Sequence, residues 1–162
     1  LMKKNTTKIL LNFVFISLLS CGFKVVDNST INNFMIKEFQ SSGDGRINYK
    51  IKNNLTMNSS LSSENIILLN LTSEKRKLIK EKNIKNQITK YQITLISKIN
   101  LQSIKNTKKI SFSITESGEF LVGINNLETI NNEKKIIDSL TEELSEKILK
   151  KINLEIDDSK KL

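Results

Sequence analysis

The chain has 162 residues, with 26 Lys+Arg against 17 Asp+Glu, a formal charge of +9, and no His, Pro or Trp. Without His it lacks the commonest metal ligand and general base. A single Cys excludes an internal disulfide and a Cys-rich zinc site, and neither G-x-x-x-x-G-K-[ST] nor G-x-G-x-x-G occurs to cradle a nucleotide phosphate. These exclusions favour a binding, scaffold or assembly protein over an enzyme. No cofactor or metal is expected. The length predicts one domain.

The first segment differs from the rest. Lys3, Lys4 and Lys8 form a positive region, followed by an apolar run from Ile9 to Leu19 broken by Asn12 and Ser17. That run fits a secretory leader and is short for a bilayer span. Leu18-Leu19-Ser20-Cys21-Gly22 follows at once. A branched residue, a small residue and then cysteine is a lipobox. The Cys21 thiol is the only group there that can form a thioether to diacylglycerol, and the peptidase needs a small residue such as Ser20 before it. Residues 1–20 are therefore read as a lipoprotein signal peptide, with Cys21 as the lipidation site. Cleavage leaves 142 residues and removes three lysines, so the mature charge is +6. Each buried acyl CH₂ contributes about 0.8 kcal/mol and one chain holds only marginally, whereas the three chains of a lipoprotein anchor it for good. Gly22, rather than Asp, after the cysteine favours the outer membrane over retention at the inner one.

Residues 21–32 read as a lipidated tether, 33–153 as the folded domain and 154–162 as a polar tail. Asn33 to Phe39 has the pattern of a strand, with Phe34 and Ile36 on one face and Met35, Lys37 and Phe39 on the other. A loop over Ser41 to Gly45 offers Asp44 as a helix N-cap. Ile47, Ile51 and Leu55 recur at helical spacing and predict a helix over about 45–57. Asn65 to Thr72 reads as a strand continuing through the charged stretch Ser73 to Lys80. Lys75-Arg76-Lys77 within it reads first as a solvated edge, since edge charges block aggregation.

Tyr91, Ile93, Leu95, Ile99 and Leu101 alternate with polar residues, with Ile96 and Ser97 out of phase, and predict a long half-buried strand. A turn at 105–108 leads to Ile110, Phe112 and Ile114, again alternating. Ser117-Gly118-Glu119 is expected to interrupt this strand before Phe120. Ile136, Ile137, Leu140, Leu144, Ile148 and Ile152 mark a final helix, capped by Asn126 or Thr129. Its acids precede its bases, which suits the macrodipole. Its apolar stripe is assigned to burial on the sheet rather than to a coiled-coil seam. The order βαβββα predicts an α+β two-layer sandwich, two helices packed on a four-stranded, mostly antiparallel sheet.

Cys21-Gly22-Phe23-Lys24, Gly43-Asp44-Gly45-Arg46 leading into a helix, Lys90-Tyr91-Gln92-Ile93 and the closing stretch Leu140 to Ile148 resemble the LPS-assembly lipoproteins, the small subunit of the outer-membrane lipopolysaccharide translocon. The resemblance spans almost the whole mature chain and matches the element order, although no motif in it is catalytic. It implies an outer-membrane lipoprotein, anchored on the periplasmic side, that plugs and helps assemble the translocon β-barrel and contacts lipopolysaccharide. Lipid A phosphates and core sugars are anionic, and a cationic domain attracts them. Lys75, Arg76, Lys77, Lys80, Lys82 and Lys85 lie close in sequence and are the candidate lipopolysaccharide contacts. A different periplasmic adaptor or barrel-assembly lipoprotein is the main alternative. A nucleic-acid binder, suggested by the basic composition, is set against the export leader, and no nucleic-acid partner is expected. Asp44, Glu116 and Glu119 are the only carboxylates that invite an enzymatic reading, and acids near turns are more often caps or solvated charges.

Overall fold

The computed structural model describes residues 33–105 and 107–158. The expected leader 1–20, Cys21 and the tether 21–32 lie outside the described residues, as does the end of the polar tail. Six elements follow in order: β1 (Met35–Gly43), α1 (Gly45–Met57), β2 (Ile66–Lys82), β3 (Ile88–Ser103), β4 (Lys109–Leu121) and α2 (Asn126–Asp158). The strands form one sheet in the order β1-β2-β3-β4. β1 and β2 are parallel, as their connection through α1 requires, and the other two pairs are antiparallel. The expected α+β sandwich is the observed one.

α1 forms for local reasons. The Asp44 carboxylate accepts from the N–H groups of Arg46 and Ile47, each at 3.1 Å, and so satisfies two otherwise orphaned donors. Ile47, Ile51 and Leu55 then fall on one buried stripe. Gly43 places the cap. It takes φ +88°, and a Cβ there would lie 2.0 Å from the Ser73 carbonyl oxygen, so only glycine fits.

Both helices cover the same face of the sheet, α1 over β1 and β2, α2 over β4 and β3. Lys50 of α1 pairs with Asp138 of α2 between them. Ile67, Leu69 and Leu71 of β2, Ile93, Leu95, Ile99 and Leu101 of β3, and Leu140, Leu144, Ile148 and Ile152 of α2 form the core. The stripe on α2 is thus buried within the domain, as expected.

Six details depart from the sequence reading, the first being that β1 continues to Gly43 through the start of the expected loop at Ser41 to Gly45. A register shift between Ile36 and Glu38 breaks the alternation of β1, so Phe39 rejoins Ile36 against the core instead of facing away. Ser97 is in phase after all. It is fully buried on the core face, where its hydroxyl bonds that of Ser73 at 3.0 Å, and Ile96 faces the other way. β4 is not interrupted at Ser117-Gly118-Glu119, and its pairing with β3 runs unbroken from Lys109 to Leu121. Gly118 is there because α2 comes close: a Cβ would meet the Ile136 side chain at 2.7 Å. α2 is capped by Asn125 rather than by Asn126 or Thr129: the Asn125 side chain accepts from the Glu128 N–H at 2.8 Å, and the Glu128 carboxylate accepts in return from the Ile124 N–H at 2.8 Å. Lastly, α2 runs through the expected start of the tail at 154 to Asp158, because Ile156 continues the buried stripe one turn further. Its last turn therefore holds no basic residue, contrary to the expected charge order.

Candidate functional site at the hairpin end

The register defines two ends. Asn33 enters beside the start of β2, where the Asn65 amide donates to its carbonyl at 2.6 Å, and Ile67 lies opposite Ser103. The β2–β3 hairpin tip is at the other end. β2 alone spans about 53 Å at ~3.3 Å per residue, so the tip stands far from the point of entry. The tip is built by Asn83, whose side-chain oxygen accepts from the N–H groups of Lys85 and Gln87 at 2.9 and 3.0 Å. The positive φ of Asn86, 61°, completes the turn.

The six basic candidates do not form one patch. Strand alternation sends Lys75 and Lys77 to the helix-covered face and Arg76 to the open one, and four of the six already face carboxylates. Lys75 lies 3.9 Å from Asp44, and Lys80 3.3 Å from Glu119. Arg76 bonds Glu74 through two nitrogens, at 2.7 and 3.2 Å, which holds the Glu74 carboxyl below its ordinary range. Lys77 bonds Glu133 of α2 at 2.5 Å and sits over the rings of Tyr91 and Phe120, 4.3 and 5.2 Å from their centroids. Those rings stack at 5.5 Å. Lys77 is therefore a clamp between sheet and helix, stabilised by cation–π contact and an ion pair. Of the six, Lys82 and Lys85 are the two that pair with no carboxylate among the described residues; both sit at the tip.

Lys90 joins them there. It bonds Glu81 at 2.7 Å and approaches Glu119 at 3.6 Å, and the hydrogen bond to Glu81 raises its pKa. Lys80, Lys82, Lys85 and Lys90 face two acids, Glu81 and Glu119, so the end carries an excess of positive charge.

Sequence reasoning missed the apolar half of this end. Leu78 and Ile79 of β2, Ile84 at the tip, Leu121 of β4, and Val122, Ile124, Leu127 and Ile130 at the β4–α2 junction are all exposed. The Val122 N–H donates to the Thr89 carbonyl at 3.0 Å, which draws that junction to the base of the hairpin. Most of the large exposed hydrophobic side chains of the described domain are gathered here, although their positions in the sequence are far apart. The hairpin end thus combines exposed apolar side chains with the excess of lysines, Leu78 and Leu121 on the open face and Ile79 on the helix-covered one.

The open face of the sheet is different. Ser42, Asn70, Thr72, Lys98, Asn100, Ser111, Ser113 and Thr115 lie on it, and a shallow depression of about 360 Å³ is lined by Glu38, Gln40, Asn70, Asn100, Gln102, Lys109 and Ser111. Ser111 donates to Asn100 at 2.7 Å and Ser42 shares a hydrogen bond with Thr72 at 2.9 Å. Leu68 also lines the depression and Ile96 lies on the same face, so the face is mostly but not wholly polar. Among the described residues no three His, Cys, Asp or Glu side chains gather as a metal site, and no helix is long and apolar enough to cross a membrane.

No family model matches the chain, and no curated protein matches it. Solved structures do. The chain is similar to rare lipoprotein B from Shewanella oneidensis, with a TM-score of 0.61 at 10% identity, over 76% of this chain and 98% of that one. It is also similar to uncharacterized lipoprotein B from Nitrosomonas europaea, with a TM-score of 0.51 at 10% identity, over 80% of this chain and 90% of that one. At this identity the likeness establishes a shared fold.

Proposed function

We propose that this chain is an LPS-assembly lipoprotein, a non-catalytic outer-membrane subunit that plugs and helps assemble the lipopolysaccharide translocon barrel. The observation that carries the reading is a conjunction. A lipobox ending at Cys21 precedes a domain whose fold is that of proteins named lipoprotein B in two other bacteria.

The physics of the domain supports it. Acylation of Cys21 tethers the chain to the periplasmic side of the outer membrane, and within the domain the hairpin tip lies at the opposite end of β2 from Asn33. The hydroxyl- and amide-rich open face suits the water-filled interior of a large barrel, whose lumen wall is polar. The hairpin end, with exposed apolar side chains and an excess of lysines, suits an amphiphile with phosphates and acyl chains. Lys82 and Lys85, free of carboxylate partners among the described residues, are the first candidates for phosphate contact. Lys77 serves the fold.

Expression in a Gram-negative host with and without globomycin tests the anchor. The reading expects an acylated mature chain beginning at Cys21, and accumulation of the unprocessed form under the inhibitor. Recovery of the mature chain with a different envelope machine would transfer it to the class of other barrel-assembly or adaptor lipoproteins.

A further inference from the structure

The two edges of the sheet are unequal. β1 is short, broken by its bulge and flanked by exposed Lys37 and Glu38, the usual devices that keep an edge from pairing. β4 is 13 residues long, keeps an unbroken register with β3, and has no proline or bulge. Its hydrogen bonds follow from two ends of the pair: Val122 N–H to Thr89 carbonyl and Ser103 N–H to Lys108 carbonyl, each 3.0 Å. Even-numbered residues of β4 therefore bond to β3, and odd-numbered ones turn their N–H and C=O groups outward. The Leu121 carbonyl obeys this parity and is taken by Asn132 of α2 at 3.1 Å. Ser111, Ser113, Thr115 and Ser117 obey it too, and among the described residues no strand pairs with their outward groups. The inward-facing Glu116 is the one protective charge on this stretch, and Lys147 neutralises it at 2.6 Å.

Beside this edge runs a groove of about 290 Å³, lined by Phe112, Ser113, Ile114, Lys147, Lys150, Lys151 and Leu154. Its floor is apolar: Phe112 and Ile114 are partly buried and Leu154 is exposed. Its rim is cationic. Glu116 answers Lys147 and Glu155 answers Lys151, while among the described residues no carboxylate pairs with Lys150.

We propose that the open edge of β4 is a docking site for an extended acidic segment of a partner protein, which adds a fifth strand. Its backbone pairs with the outward groups of Ser111, Ser113, Thr115 and Ser117. Its inward side chains are apolar over Phe112, Ile114 and Leu154 and carboxylate-bearing toward Lys150. Backbone pairing supplies affinity in this mode and the groove supplies selectivity. The inference uses no residue of the hairpin end; it shares Ser111, Ser113 and Thr115 with the open face, but through their outward backbone groups rather than their side chains.

The test uses the full mature chain and a synthetic peptide alternating threonine with valine and glutamate, against the same peptide with lysine for glutamate. Amide hydrogen exchange is read residue by residue. At about ten times its Kd the glutamate peptide slows exchange at Ser113, Thr115 and Ser117 about tenfold, and binds about fivefold tighter than the lysine peptide. Thr115→Pro removes an outward N–H without touching the β3 ladder, and abolishes the protection. Lys150→Glu, an exposed change that leaves the fold intact, reverses the preference between the peptides. Equal binding of the two peptides, protection confined to other elements, or amides already protected before peptide is added would each overturn the proposal.

Discussion

Ser73 of β2 and Ser97 of β3 stand opposite each other and share a hydroxyl hydrogen bond of 3.0 Å, both buried beneath the helices. Each satisfies the other in a core that is otherwise almost wholly Ile and Leu. The pair is expected to behave non-additively. Ser97→Ala alone leaves the Ser73 hydroxyl buried without a partner and destabilises by about 1–2 kcal/mol. Adding Ser73→Ala to that variant costs far less, because nothing polar is left unmade. Urea unfolding of the two single variants and the double variant measures the coupling.

Gly43 is the least replaceable of the described glycines. Its φ of +88° and the Ser73 carbonyl 2.0 Å from any added Cβ act together, and the obstacle is backbone that cannot rotate away. Gly43→Ala is expected to lower stability by about 3 kcal/mol or more, read as a fall in the denaturant midpoint. Gly118→Ala meets side-chain atoms of Ile136 and Leu140 rather than backbone and is the milder change.

Asp44→Ala removes both N-cap hydrogen bonds of α1 and is expected to cost about 1 kcal/mol. Asp44→Asn keeps an acceptor in place and loses less. The two variants, compared by thermal denaturation, separate capping from the long contact with Lys75.

The Glu74 carboxyl is held below its ordinary range chiefly by the Arg76 hydrogen bond. A depressed carboxylate stabilises the folded state above its unfolded pKa, and that contribution disappears as the pH falls through the folded value. Carbon-detected NMR titration should find Glu74 ionising below a normal glutamate, and Arg76→Gln should return it upward. The group is exposed, so the transition should leave the global acid midpoint nearly unchanged.

Ile84→Ser and Leu127→Ser change exposed side chains and should alter stability by no more than about 0.5 kcal/mol. Under the proposed function they weaken binding of lipopolysaccharide, as do Lys82→Glu and Lys85→Glu. Retention of full binding in the combined variant would remove the hairpin end from the interaction.

How legible the fold was depended on the range of the interactions that build each part. α1 could be read because its cap and its stripe are local: Asp44, then Ile47, Ile51 and Leu55. The alternation of β3 was visible for the same reason. Ser97 was misplaced because its partner is 24 residues away, and a serine in a core position looks like a slip of phase until Ser73 is beside it. Gly118 looked like a break because the reason for it, Ile136, belongs to a different element. The basic cluster was legible as composition but not as a surface. Pleating divides it between two faces, and Asp44, Glu74, Glu119 and Glu133, drawn from four separate stretches of chain, neutralise most of it. The apolar hairpin end was hidden for the converse reason: Ile84, Leu121 and Leu127 come to the same end of the domain only once the β3–β4 register is set.

The most direct test of the proposed role is purification of a C-terminally tagged chain from detergent-solubilised outer membranes, with the co-purifying protein identified and quantified. The account predicts the lipopolysaccharide translocon barrel in about equimolar amount with the acylated chain. Recovery of the chain without that barrel, from membranes that contain it, would contradict it.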